Sequence, residues 1–413
     1  MSAEDLRYDA AHIEVLEGVE AVRRRPGMWV GSTAERGLHQ LVFEAVGGAV
    51  NAVLAVGGGR VDVTLTPDGG VIVEDDGPGV PFDGDEGDDG DEGADGDEGA
   101  DGDVGAEGPG LETLLTGVRA APEPAGRHFA HVGHFHVGLI VVNALSSRLT
   151  AEVRREGVRR AQEYARGVAL APPAVVGSTT TTGTTLAFRP DPEVFVTTRC
   201  SFAVLAERLR QVAFLHRGLE MSLTDHRPAA GARHVRFRFP DGVRDFVAAL
   251  DAEAGGVFDA DVIAFEREDP RMAGTMEVAL LWHGRGRVRG FANSRPTFEG
   301  GAHLDGFRDG LATAVMAYGR ERGLLTAAAE AEAEAEAGAG AVADGILEGV
   351  TAVVSVKLDH PEFLGATRTL LGGPEVRDCV REAARDHVGA WLVAHPADAA
   401  RIVDRINRSA ALD

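Results

Sequence analysis

The stretch from residue 83 to 107 limits the fold more than any other feature. It holds 13 Asp or Glu and no basic residue, with Gly at nearly every third position. Like charges at this density, almost without apolar side chains, leave nothing to bury, so the stretch is expected to be a solvated, disordered insertion. The core must be assembled from the segments on either side. A second biased tract, 327–337, places four Glu among Ala. The two tracts hold 17 acidic residues against a net charge of −24, so most of the charge sits outside the folded body. The Gly-Asp run matches a calcium-binding repeat only loosely, because it lacks the glycine pairs and the apolar position that pack such a coil.

The 413 residues give room for two or three domains, each able to bury a core. Aromatic content of 6% leaves that core to Val, Leu and Ala. The overall acidity argues against nonspecific nucleic-acid binding by the whole surface, and leaves open one local basic groove. Cys200 and Cys379 lie far apart with no paired spacing, which argues against a disulfide framework or a Cys-based metal site. No apolar run approaches membrane-spanning length and MSAEDLRYDA carries no signal pattern. The expectation is a soluble, cytoplasmic protein without a membrane partner. Of 41 basic residues, 40 are Arg; the single lysine is Lys357.

Residues 12–24 read as a short helix. Leu38, Leu41, Val42, Ala45, Val46, Ala49, Val50 and Val53 recur at helical spacing, which predicts a long helix over 35–55 despite Gly47 and Gly48. VDVTLT (61–66) and VIVEDD (71–76) flank a Pro-Asp-Gly-Gly turn and predict a hairpin. VGLIVVNAL (137–145) is an apolar helix or strand, and SFAVLAERLRQVAFL (201–215) an amphipathic helix. Beyond residue 220 strands and helices alternate, ending in strand 351–358 and helices from 374. This is an α+β chain with a division near 220–235.

Several segments together resemble the B subunits of DNA gyrase, a type IIA topoisomerase: YDAAHIEVLEGVEAVRRRPGMWVGSTAERGLHQLVFEAV (8–46), VEDDGPGVP (73–81), TGTTLAFRPDPEVF (182–195), LAERLRQVAFLHRGLEMSLTD (205–225), FANSRPTFEGGAHLDGFRDGL (291–311) and GVTAVVSVKLDHPEFLGATRTLLGGPEVR (349–377). The resemblance runs in order from residue 8 to the end. It implies a GHKL (Bergerat) ATP-binding α/β sandwich over 1–225, with 83–110 as an acidic insertion. A transducer of ribosomal S5 domain 2-like fold would follow over 226–413, with 326–344 as an Ala/Glu-rich loop. It also implies a homodimer clamped by ATP around DNA. The family's metal-binding toprim domain lies beyond the matched region, so DNA cleavage by this chain alone is not expected.

Carried over residue by residue, the resemblance makes Glu44 the general base for the attacking water. Asp75 would accept the adenine amino group, supported by Thr184, with Gly77 and Gly79 turning under the base. ATP is the expected cofactor. The phosphate and metal end departs from the family. Gly48 stands where the family has its Mg²⁺-ligating Asn, so Mg²⁺ binding is expected to be severely weakened. The Gly-rich phosphate loop aligns with HVGHFHVG (131–138), which keeps only Gly133 and Gly138. Arg368 replaces the lysine that reaches the γ-phosphate, preceded by Ala366 in place of Gln. Its planar fork does not reproduce a point charge. Arg119 or Arg127 takes the place of a family lysine near the lid. His128, His131, His134 and His136 are spaced for a Zn²⁺ or Ni²⁺ site; a loop released from glycine accounts for them equally.

Two functions follow. One is a degenerate nucleotide-binding homodimer, a pseudoenzyme acting as scaffold or regulator of a topoisomerase subunit or another partner. The other is an active ATP-hydrolysing module that gates DNA on dimerisation. A further reading has the acidic tract mimic DNA phosphates in a basic groove.

Overall fold

The computed structural model describes residues 18–82, 110–117, 126–133, 137–227, 231–256, 262–282, 286–334, 345–347, 349–365 and 367–409. The acidic tract, Arg119, His134, His136 and Ala366 lie outside the described residues.

Two mixed sheets organise the chain. The first has nine strands: β1 (Gly59–Leu65), β2 (Val71–Asp75), β3 (Ser146–Arg155), β4 (Val158–Ala165), β5 (Val168–Ala169), β6 (Ala174–Ser178), β7 (Gly183–Pro190), β8 (Leu219–Asp225) and β9 (Arg233–Phe237). Their order is β5-β4-β3-β7-β2-β1-β8-β9, with β6 also on β4. The pairings are antiparallel except for β1 with β8. Short helices α1 (Gly18–Arg24) and α2 (Pro26–Val30) lead into α3 (Glu35–Leu54), which packs over β1 and β2. The predicted apolar positions of α3 are all buried, which fixes its core face. Helices α4 (Leu111–Thr116) and α5 (Leu139–Ala144) complete the layer. The VGLIVVNAL segment, ambiguous in sequence, is this helix α5.

α6 (Phe202–Leu215) starts where the Ser201 hydroxyl caps the Val204 N–H, and it leads into β8. The strand HVRFRF was expected in the second unit. Instead β9 pairs with β8, Met221 opposite Phe237, so the first sheet runs past the expected division at residues 225 and 226. The reason is local: a short connection lets consecutive strands form an antiparallel hairpin.

The second sheet has the order β10-β11-β14-β12-β13. Its strands are β10 (Ile263–Asp269), β11 (Gly274–Leu281), β12 (Arg287–Ala292), β13 (Arg295–Pro296) and β14 (Thr351–Leu358). Both faces are covered, so β14 is buried along its length except at the half-buried Lys357. Ala352, Val354, Val356 and Leu358 join one core with α8 (Ala302–Glu321), α10 (Pro374–Ala394) and α11 (Pro396–Ser409). Val353 faces the other way, towards α7 (Val243–Glu253) and the end of α6 at Phe214 and Leu215. Of the Ala/Glu-rich segment 326–344, expected as a loop, Ala327–Glu334 form helix α9, because Ala and Glu are strong helix formers, and 335–344 lie outside the described residues. A small hairpin, β15 (Phe363–Leu364) with β16 (Leu370–Leu371), carries Arg368 in its connection.

Among the described residues, no helix is long and apolar enough to cross a membrane.

Candidate nucleotide site

Strand parity explains the position of Asp75. Val71, Val73 and Asp75 are the buried residues of β2, so the carboxylate ends an apolar row on the core face. Thr184 begins the matching row of β7, followed by buried Leu186 and Phe188. One Asp75 oxygen, Oδ1, accepts from Gly77 N at 3.0 Å and from Thr184 N at 3.2 Å. The other, Oδ2, accepts no hydrogen bond from the described residues. Burial raises the Asp75 pKa to about 6, against the pull of these two N–H donors and of Arg154. The Thr184 hydroxyl accepts from Val80 N at 3.2 Å, which fixes its oxygen and leaves its proton to donate. Gly79 has φ +79, and a Cβ there would lie 2.6 Å from Arg154 O. Only glycine fits this turn. The structure therefore brings Asp75, Gly77, Gly79 and Thr184 together.

Glu44 lies on the buried face of α3. Its Oε1 accepts from Gln40 Nε2 at 2.6 Å, and its Oε2 accepts from Gly138 N at 3.3 Å. Gly133 closes against the same carboxylate: a Cβ there would lie 2.4 Å from both Gln40 Nε2 and Glu44 Oε1. Glu44, Gly133 and Gly138 thus form one cluster. The neighbouring turn of α3 presents no oxygen ligand at residue 48. A Cβ on Gly48 would lie 3.3 Å from Leu139 Cδ2, and one on Gly47 would lie 3.7 Å from Val132 Cβ. Asn51 is engaged elsewhere, with Gly47 O and with both backbone groups of Ala130.

Other expected residues lie apart. Arg368 is exposed at φ +51 in the β15–β16 connection, where Thr367 and Thr369 both donate to Glu299 Oε2. Phe363 at the base of that hairpin meets the His131 ring edge-on at 6.3 Å. Arg127 does not face the site. It donates through Nε and Nη2 to Asp359 at 2.9 and 2.6 Å, and through Nη1 to Glu268. Two carboxylates of the second unit hold it by charge-assisted hydrogen bonds. Lys357 is paired with Glu277 at 3.0 Å. His128 is exposed while His131 is buried between Phe129 and Phe363. Among the described residues, no group of three or more His, Cys, Asp or Glu side chains is placed to hold a metal.

Sequence reasoning missed Arg154, which donates to Asp75 O at 3.0 Å, and Arg155, which reaches Gly79 O at 3.5 Å. The adjacent arginines on β3 were the available signal. A cleft of about 270 Å³ opens beside them, lined by Pro81, Phe82, Val153 and Arg155. A larger cavity of about 370 Å³ lies away from these residues, between α6, α7 and β12.

A family model described as DNA gyrase B matches residues 242–412. The chain is 39% identical to the DNA gyrase B protein of Streptomyces coelicolor over 96% of its own length and 56% of that protein. It is 38% identical to the novobiocin-resistant DNA gyrase B protein of Streptomyces niveus, over 98% of this chain and 58% of that one. The chain thus spans little more than half the length of these relatives. Its fold superimposes with a TM-score of 0.73 on the 43K ATPase domain of Thermus thermophilus gyrase B, crystallised with an aminocoumarin. That alignment has 30% identity and covers 96% of this chain and 95% of that domain. With nearly the whole of that ATPase domain matched, this chain belongs to the DNA gyrase B family, as its ATPase and transducer region.

Proposed function

We propose that this chain is a nucleotide-binding homodimer that recognises adenine but has lost Mg²⁺-assisted hydrolysis, acting as a scaffold or regulator. Its partners would be a topoisomerase subunit or DNA. The contrast between the two ends of the site carries this reading. At the base end, Asp75 Oδ2 is left for an amino group while Oδ1 is fixed by two N–H donors. The residues at the phosphate end do not fit the family's metal: glycine, Leu139 and Val132 stand around α3 where an oxygen ligand is needed. Gly133 and Gly138 would border the phosphates, and Arg368 would approach them only if its hairpin moved inward.

The retained Glu44 favours the second reading, an active ATPase that gates DNA. Its carboxylate is held by Gln40 and Gly138 and could accept a proton from water. Calorimetric titration with ATP and a nonhydrolysable analogue, with and without Mg²⁺, followed by a turnover assay, separates the two. Mg²⁺-independent binding without turnover supports the proposal. Turnover that Glu44→Gln abolishes overturns it in favour of the ATPase, and no binding at millimolar nucleotide removes both.

A further inference from the structure

Two buried residues with left-handed backbone mark the junction of the sheets. Asn293 (φ +45) and Ser294 (φ +67) form the turn between β12 and β13, each 1% exposed. Positive φ at both positions suits a two-residue hairpin, but a serine there is strained. Such strain persists only where the surroundings over-determine the backbone. Here Asn293 N donates to Val356 O. Its side chain donates to Leu358 O at 2.9 Å and accepts from Leu358 N at 2.9 Å. On the other side it donates to Gly126 O at 3.2 Å, and its carbonyl accepts from His131 N at 2.8 Å. The Ser294 hydroxyl lies 2.7 Å from His216 Nε2.

Arg208 on α6 ties this turn to the segment beside Glu44. Its Nε donates to Val132 O at 3.0 Å, and its Nη2 donates to His131 O at 2.8 Å and to Ser294 O at 3.0 Å. Every acceptor is a backbone carbonyl, and the buried Nη1 has no acceptor among the described residues. Burial and the nearby Arg295 charge lower its pKa to about 10. A guanidinium without a carboxylate is costly to bury, so its tolerance here depends on three carbonyls staying converged. Separating 131–132 from 294 would strand that charge. The planar fork makes the geometry stiff.

We propose that Arg208 is a positioning residue that stiffens the direct bonds of Asn293 to Gly126 and His131, so that segment 126–133 and the 293–294 turn move as one body. Displacement beside Glu44 is then passed to β14 and to the hairpin that carries Arg368. On the Glu44 side the link runs through Gly133, which closes against the Glu44 carboxylate. On the far side it runs through Leu358 to β14, and through Phe363 to the hairpin.

The test is hydrogen exchange on the full chain without ligand, so its outcome is independent of whether nucleotide binds. Asn51→Ala releases segment 126–133 from α3. It is expected to speed exchange of the 351–358 amides about tenfold in the otherwise native chain, and less than about twofold when Arg208→Met is also present. Equal acceleration in both backgrounds, or acceleration confined to 126–133 in both, overturns the proposal. A merely structural Arg208 would give additive effects. If Arg208→Met does not fold, Arg208→Lys replaces it. That variant keeps the charge without the fork, and an intermediate response of about threefold is then expected. The tenfold response of the native background would overturn the proposal.

Discussion

Asn51 grips the backbone of Ala130 at both polar atoms: its Oδ1 accepts from Ala130 N at 2.8 Å, and its Nδ2 donates to Ala130 O at 3.1 Å. The side-chain amide thereby stands in for a strand neighbour, and Nδ2 also returns to Gly47 O at 2.8 Å. One residue on α3 therefore fixes the approach of the segment that leads to Gly133 and Glu44. The structure makes Asn51 an anchor.

Removing that anchor should be costly. Asn51→Ala leaves two part-buried backbone groups of Ala130 without partners, for an expected loss of about 2–3 kcal/mol in urea unfolding. Asn51→Asp should cost more at neutral pH, because its anion would face the carbonyls of Gly47 and Ala130. Protonation restores a donor, so the Asp variant should regain stability as pH falls, opposite to ordinary acid destabilisation. A variant whose stability falls monotonically with acid would contradict this geometry.

Asp75 should make both stability and binding depend on pH. Burial raises its pKa from 3.8 to about 6, with Arg154 and Asp76 the charges that face it. A raised carboxyl favours the protonated folded state. Its contribution is fully present below about pH 4 and is lost as pH rises through about 6. Asp75→Asn should remove that slope and stabilise the ligand-free protein at pH 7.5 by about 1–3 kcal/mol. Adenine recognition needs the carboxylate as acceptor. ATP affinity should therefore rise as pH passes through about 6, and Asp75→Asn should weaken it at least about tenfold. Thermal unfolding and titration at pH 5 and 7.5 give both readouts.

The parts legible in sequence were those set by local period. The apolar face of α3 and the β1–β2 hairpin follow from spacing alone, and the structure has each. What escaped depends on contacts between distant positions. Arg208 and Ser294 are 86 residues apart, and Asn51 and Ala130 are 79 apart. Nothing in the local pattern of an amphipathic helix says that one arginine turns inward to three carbonyls. The pairing of β9 with β8 was missed for a different reason: a change from helix to strand near residue 220 reads as a boundary, although the sheet continues across it.

Gly133 offers a test of how closely the phosphate-side segment is built onto Glu44. A methyl group at this residue would fall 2.4 Å from both Glu44 Oε1 and Gln40 Nε2, far inside van der Waals contact. Gly133→Ala should therefore displace the carboxylate or the segment, at a cost of about 1–3 kcal/mol. Gly126→Ala meets no atom within 4 Å but carries φ +107, so its penalty comes from the backbone alone. If Glu44 serves a bound nucleotide, Gly133→Ala should reduce affinity while Gly126→Ala changes only stability. Equal affinity in the two variants would separate Glu44 from the binding site.

The glycine at position 48 allows the proposed loss of metal binding to be reversed. Gly48→Asn replaces the least favourable non-proline helix residue, so the α3 backbone gains a few tenths of a kcal/mol. Its Cβ would nevertheless press against Leu139 Cδ2 at 3.3 Å, so the leucine has to give way before the amide can settle. The single substitution should leave ATP binding indifferent to Mg²⁺. Gly48→Asn combined with Leu139→Ala removes the obstruction, and should make ATP affinity rise at least about tenfold when Mg²⁺ is added, since one side-chain oxygen plus phosphates is a sufficient Mg²⁺ set. Titration of the three chains with and without Mg²⁺ decides the matter. If the native chain already binds ATP more tightly with Mg²⁺, the missing ligand at residue 48 is replaced by another group, and the hydrolytic reading of Glu44 gains the advantage.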